Sequence, residues 1–233
     1  MNIEFSIILP IYNQEDQIIK IYDAYSKILE QANISFELIF VVNGSSDGSL
    51  KIAESIQEKD TRVKAFYTSK SGWGLAVKYG IQQSVGEKIC YTNSARTAAK
   101  DLLLVLKYAQ VNKDNIVKAN RILRESYIRS AGSIIFNLEN RFFFRTPIWD
   151  VNGTPKVIPA QILKNIDIVS DGDLLDAELI AKVFKSKHLV IEIPILSTTR
   201  LSGKSTTNLL SAFNMYFGLI SLRRIIKKYQ KNV

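Results

Sequence analysis

Three short segments hold the residue types that can meet a nucleotide or a sugar, and each follows an apolar run. Pro10 to Asn13 reads PIYN, where the ring of Tyr12 and the amide of Asn13 could pack against a nucleobase or ribose. Val41 to Ser49 reads VVNGSSDGS and joins Asn43, two glycines, three serines and Asp47 at a strand-to-helix turn, where backbone can approach a ligand closely. Ser71 to Gly80 reads SGWGLAVKYG and brings Gly72, Trp73 and Gly74 to a helix start. Each segment alone is better explained as turn chemistry, because Gly, Asn, Asp and Ser dominate turns for steric reasons. A fourth segment, SDGDLLDAE, gathers Asp171, Asp173, Asp176 and Glu178, carboxylates suited to general-base work or, for Asp171 and Asp173, to capping a helix. His188 is the only histidine; without a second one or a nearby cysteine it builds neither a triad nor a zinc site. Cys90 lies in an apolar run and reads as core. Trp73 and Trp149 could stack on a sugar or base, or simply pack.

What must position these segments is an alternation of β-branched apolar runs with stretches of helical period, the pattern of an α/β domain with a largely parallel sheet. Strands are expected at Phe5 to Pro10, Glu37 to Val42, Val63 to Tyr67, Lys88 to Thr92, Ile116 to Ala119 and Leu189 to Ile193. Residues 15–31 repeat apolar side chains at i, i+3 and i+4, which predicts an amphipathic helix against the sheet. A second helix is expected near Asp47, and others over 125–145 and 173–187. Residues 146–160, marked by Pro147, Gly153, Pro155 and Pro159, read as irregular. In such sheets ligands sit beyond the carboxyl ends of the strands, which is where the candidate segments fall.

The 233 residues suffice for one large core, and 46% hydrophobic with 23% charged residues excludes wholesale disorder, collagen and coiled coil. A single cysteine excludes a disulfide framework. The net charge of +9 implies an anionic partner: a nucleotide phosphate, a nucleic acid or an acidic membrane surface. A nucleic acid is disfavoured because no recognition module or basic-aromatic repeat is present. The charge is uneven: from Ile193 to Val233 there are seven basic residues and no acidic one. Residues 206–233 are expected to form a basic amphipathic helix, suited either to an anionic bilayer or to packing on the domain or a second subunit in a homo-oligomer. The N-terminus lacks a basic leader, and Leu209 to Leu222 is too short and too interrupted to span a bilayer, so a cytoplasmic protein, peripheral at the membrane, is expected.

Taken in order, the motifs resemble glycosyltransferase family 2, the inverting GT-A group, and most closely its polyprenyl-phosphate sugar transferase branch, which includes dolichol-phosphate mannose synthase. SIILPIYNQEDQI resembles the opening strand and turn, ELIFVVNGSSDGS the second strand, and SGWGLAVKYGIQQSVGEKI the helix before the metal-binding strand. IVKANR, DVNGTPKV, DAELIAKVFKSKHLVIEIPI and RLSGKS resemble the acceptor-side strand, its turn, the late helix and strand, and the flexible tail loop. The resemblance implies a Rossmann-like, mixed but mostly parallel sheet flanked by helices over residues 1–205. It implies transfer of a sugar from a nucleotide-sugar to a lipid-phosphate or glycan acceptor, as in polysaccharide biosynthesis. The alternative is an inactive GT-A-like domain that binds a nucleotide or a partner enzyme.

Two departures bear on the chemistry. Val42 and Asn43 stand where the family usually has two acidic residues, and Thr92-Asn93-Ser94 stands where a D-x-D holds a divalent metal, Mg or Mn. Neutral oxygens offset little of the cost of dehydrating such an ion, so no strong metal site is expected. The charge of a departing diphosphate would then fall to cations. The resemblance points to Arg96, Arg121, Arg129, Arg200 and Lys204, with arginine able to grip phosphate bidentately. It implies Pro10, Tyr12, Asn13, Asn43, Asp47, Gly72, Gly74, Asn93 and Arg96 on the donor, and Arg121, Arg129 and Lys204 on the acceptor or its phosphate. Asp176 and Arg200 are implied as catalytic, Asp176 as general base toward a sugar hydroxyl.

Overall fold

A computed structural model describes residues 2–123, 127–196 and 209–230. The elements run β1 (Phe5–Ile11), α1 (Ile18–Gln31), β2 (Phe36–Asn43), α2 (Ser49–Gln57), β3 (Val63–Thr68), α3 (Trp73–Gln83), β4 (Lys88–Tyr91) and α4 (Ala99–Val111). They continue as β5 (Ile116–Leu123), α5 (Tyr127–Phe144), β6 (Lys156–Pro159), α6 (Ala160–Lys164), α7 (Leu175–Lys185), β7 (Val190–Leu196) and α8 (Leu209–Gln230). The strands form one sheet in the order β3-β2-β1-β4-β6-β5-β7. All neighbours are parallel except β6, which runs antiparallel to both β4 and β5.

The near-continuous apolar runs of β1 and β2 are buried along their whole length, as a strand covered on both faces requires. Their two-residue period splits the core. Phe5, Ile7, Leu9, Leu38, Phe40 and Val42 meet α1, α2 and α4 on one face, while Ile8, Ile39 and Val41 meet α3, α6 and α7 on the other. A third apolar cluster joins Phe136 and Phe144 of α5, Ala177 and Ile180 of α7, and Leu219, Leu222 and Ile226 of α8. The described part of the basic helix therefore lies against the domain through one face. Among the described residues, no helix is long and apolar enough to cross a membrane.

The stretch expected to be irregular contains β6, which takes its shape from β4 and β5 on either side rather than from its own composition. The second helix begins at Ser49 behind Gly48, and Asp47 Oδ1 accepts a hydrogen bond from the Ser49 amide at 3.1 Å. Neither Asp171 nor Asp173 caps α7, whose first turn has no side-chain cap.

Candidate functional site

The loops after β1 and β2 are stitched together by reciprocal hydrogen bonds. The Asn13 amide donates to Ser45 Oγ at 3.0 Å, and Asn13 Oδ1 accepts from the Ser46 amide at 2.9 Å. The amides of Gln14 and Glu15 donate to Ser49 Oγ and Asp47 Oδ2, and Glu15 returns a carboxylate oxygen to the Gly48 amide at 2.6 Å. Desolvation works against the Asp47 carboxylate, but hydrogen bonds from Ser49 and from the backbone outweigh it and hold its pKa below the ordinary value. Asn43 is buried and ties three elements: Nδ2 donates to the Ile11 carbonyl at 2.8 Å, and Oδ1 accepts from the Gly72 amide at 3.0 Å. Gly44 follows with φ of 63°, and a Cβ there would stand 2.7 Å from the Ser71 nitrogen. Both its left-handed backbone and this close approach require glycine.

After β4, Thr92 and Thr97 hydroxyls bond each other at 2.6 Å, and Ser94 Oγ donates to Gln14 Oε1 at 3.0 Å. The strand ends of β1, β2 and β4 and the start of α3 thus make one continuous rim. Pro10 is buried beneath it; Tyr12 and Asn13 are exposed on it; Asn93 and Arg96 are half-buried in the turn after β4.

The opposite wall is built by α7 and the loop before it. Glu178 accepts the amides of Val169 and Ser170 at 2.9 and 2.7 Å and pairs with Lys182 at 2.6 Å. Despite desolvation, those bonds keep its carboxyl below the ordinary value. The loop so anchored presses on the start of α3: the Leu75 amide donates to the Asp171 carbonyl, and a Cβ on Gly74 would lie 2.5 Å from the Asp171 carbonyl carbon. Asp171 itself pairs with Lys78 at 2.6 Å.

Asp176 is buried where three donors converge. Tyr91 Oη donates to Oδ1 at 2.8 Å, the buried Lys156 ammonium pairs with the same oxygen, and Trp73 Nε1 reaches Oδ2 at 3.3 Å. The Trp73 and Tyr91 rings meet edge to face at 6.2 Å. Burial, then the charge of Asp176, pushes the Tyr91 hydroxyl well up, while burial pushes the Lys156 ammonium down against the pull of Asp176. Asp173 reaches solvent, yet its carboxyl is raised by desolvation and by the charge of Asp176.

Beside this wall opens a cleft of about 310 Å³ between β5, α5 and the 149–150 turn. Arg121 grips Asp150 in it through Nε at 2.7 Å and Nη2 at 2.8 Å, and its pKa is raised, the ion pair outweighing desolvation. Beneath, Lys118 Nζ donates to the carbonyls of Ala119 and Asp150 and to Glu192 at 3.1 Å; burial pushes its pKa down to about 8. Trp149 is exposed at the rim of the cleft, with the Arg141 guanidinium 4.0 Å over its ring.

The structure brings Asn43, Asp47, Gly72, Gly74, Asn93, Arg96 and Asp176 to one end of the sheet and sets Arg121 in the adjoining cleft. The Arg129 side chain, Arg200 and Lys204 lie outside the described residues. Lys118, Tyr91, Asp150, Lys156 and Glu192 are absent from the sequence-derived set. Their one signal is a lysine flanked by apolar residues, in IVKAN and PKVIP, since a buried lysine requires partners.

A model of the family described as Glycosyl transferase family 2 matches residues 6–166. An uncharacterised glycosyltransferase, YkcC, of Bacillus subtilis is 30% identical over 104 residues, 44% of this chain and 32% of that protein. An uncharacterised glycosyltransferase of Haemophilus influenzae is 34% identical over 99 residues, 42% of this chain and 38% of that one. The matched region therefore spans only about a third of these relatives. The fold resembles glucosyl-3-phosphoglycerate synthase from Mycobacterium tuberculosis, solved with Mn2+, UDP and phosphoglyceric acid, with a TM-score of 0.74 at 14% identity over 94% of this chain and 78% of that one.

Proposed function

The chain belongs to glycosyl transferase family 2, and from that premise we propose that it moves a glycosyl unit from a nucleotide-sugar to a lipid-phosphate or glycan acceptor at the cytoplasmic face of a membrane. The observation that carries this reading is the rim at the strand ends, where the loops after β1, β2 and β4 are locked to the start of α3 and adjoin a cleft on the β5 side. A nucleotide-sugar bound on the rim would have Tyr12 and Asn13 at its base or ribose, with Asn43 and Asp47 holding the loops and Gly72 and Gly74 letting the backbone around Asp171 close on the start of α3 beside it. Its diphosphate would lie near Asn93 and Arg96. The acceptor would enter through the cleft, toward Arg121, Arg129 and Lys204. The structural neighbour solved with UDP supports a nucleotide donor by analogy of fold.

In the transfer, an acceptor oxygen bonds to the anomeric carbon as the bond to the diphosphate breaks, and the diphosphate departs with the electron pair. Arg96 and Arg200 are the proposed cations that meet its charge. The family's divalent metal fits these residues poorly. The strand end after β4 offers hydroxyls and an amide, the hydroxyls of Thr92 and Ser94 are engaged internally, and among the described residues no group of three His, Cys, Asp or Glu is arranged to hold a metal ion. A phosphate acceptor is already ionised, whereas a hydroxyl must release a proton. Asp176, with three donors on its oxygens, is suited to hold Trp73, Tyr91 and Lys156 in place, and Asp173 is the nearby carboxylate whose raised pKa suits it to take that proton.

Transfer and donor hydrolysis across a panel of nucleotide-sugars, with and without EDTA, test this. Turnover with one donor that persists in EDTA is expected, and Asp173→Asn should slow transfer to a hydroxyl acceptor at least about a hundredfold while sparing a phosphate acceptor. Absence of binding and turnover across the panel would overturn it. Nucleotide binding without turnover would instead favour a noncatalytic domain, a reading for which the fully engaged Asn43 and Asp176 also speak.

A further inference from the structure

At the far end of α5 from the cleft lies a second hollow of about 230 Å³, into which Arg145, Lys185, Arg223 and Lys227 converge from three elements over an apolar floor that includes Phe143 and Ile226. No carboxylate lines it, and among the described residues these four cations form no ion pair. The carbonyl ends of α5 and α7 nearby would favour one cation each, which leaves an excess of like charge in a concave space. Phosphate oxygens answer that excess.

The hollow continues into an apolar stripe. Ile134, Leu138 and Phe142 recur every four residues on α5 and are 58%, 54% and 79% exposed, and Phe217 and Ile220 of the adjacent α8 are exposed as well. Ile134 lines the cleft, the Phe142 ring meets Phe143 edge to face at 5.6 Å, and Phe143 lines the hollow. At 1.5 Å per residue the stripe is about 12 Å long. Arg145, Arg223 and Lys227 line the hollow at its end, and Arg224 and Lys228 are exposed on the helix that carries Phe217 and Ile220. Glu139 is the one acid on α5, and desolvation raises its carboxyl above the ordinary value. Exposed apolar side chains bordered by lysine and arginine match the boundary between acyl chains and acidic headgroups.

We propose that this face of α5 and α8 docks on an anionic lipid bilayer, with the stripe dipped among the acyl chains and a lipid phosphate seated in the hollow. This deepens the function proposed above by naming where the membrane is met, and rests on that reading only for the acceptor. The geometry would set the mouth of the cleft at the lipid surface, so that a lipid-linked acceptor could enter sideways.

Flotation with vesicles of phosphatidylcholine alone, or mixed with phosphatidylglycerol, tests the proposal. Binding to the anionic vesicles only, weakened by salt, is expected. Arg223→Gln with Lys227→Gln should weaken it about 25-fold, at roughly fivefold per charge, and Leu138→Ser with Phe142→Ser at least about tenfold. Both pairs should keep the wild-type thermal midpoint and nucleotide diphosphate binding, since all four residues face outward. Equal binding to neutral vesicles, or unchanged binding by both pairs, overturns the proposal. So does a dimer that the stripe variant converts to monomer without change in vesicle binding, or inorganic phosphate that stabilises a protein no vesicle retains. Loss of nucleotide binding with vesicle binding intact would defeat only the transferase reading.

Discussion

At Asp176 one carboxylate answers a buried ammonium, a phenol and an indole, so its removal is felt first by Lys156. Asp176→Asn leaves that ammonium buried and unpaired, at a cost of about 3–5 kcal/mol. For a chain of this size the thermal midpoint should fall by about 10 °C. Lys156→Met combined with Asp176→Leu should recover most of the loss, because it removes both charges. A double variant no more stable than the single one would contradict this. Lys118 allows a pH test. Its folded pKa is lowered to about 8 from 10.5, so between those values the unfolded chain binds more protons. Stability owed to this group is therefore flat below about pH 8 and rises with pH up to about 10.5. Urea midpoints measured across that window should rise less steeply in Lys118→Met than in the wild type. These lysines also mark a limit of the sequence. Asp47 and Asn43 were visible as turn residues, but nothing singled out Lys118 and Lys156, because their partners, Glu192 and Asp176, lie 74 and 20 residues away.

Among the elements, the strand-to-helix turn after β2 tolerates least. Gly44→Ala must carry a Cβ at positive φ against the Ser71 backbone, so stability should drop by about 1–3 kcal/mol and the tie between Asn43 and Gly72 should loosen. Nucleotide affinity falling more than stability explains would connect that turn to the donor. The parallel strands were legible because two-sided burial writes long apolar runs, as in FSIILPI and FELIFVVN. β6 was not. Four residues, KVIP, between prolines carry no period of their own, and only pairing with β4 and β5 makes them a strand. The capping alternative for Asp171 fails for a similar reason: its carboxylate finds Lys78 on α3, 93 residues away, rather than the start of its own helix.

On the scale of the whole molecule, ordered motifs identified the family and the sheet, while composition located the charge without saying how it is displayed. The sequence left the basic tail between a bilayer and the domain. In the structure Leu219, Leu222 and Ile226 are turned inward onto the domain, and Arg223, Arg224, Lys227 and Lys228 are turned outward. The inward face has a practical consequence. A version shortened ahead of Leu219 would lay bare Phe136, Ala177 and Ile180, and those oily side chains would seek cover in other copies. Poor solubility of such a fragment would reflect a missing lid over its third core, and not any injury to the sheet.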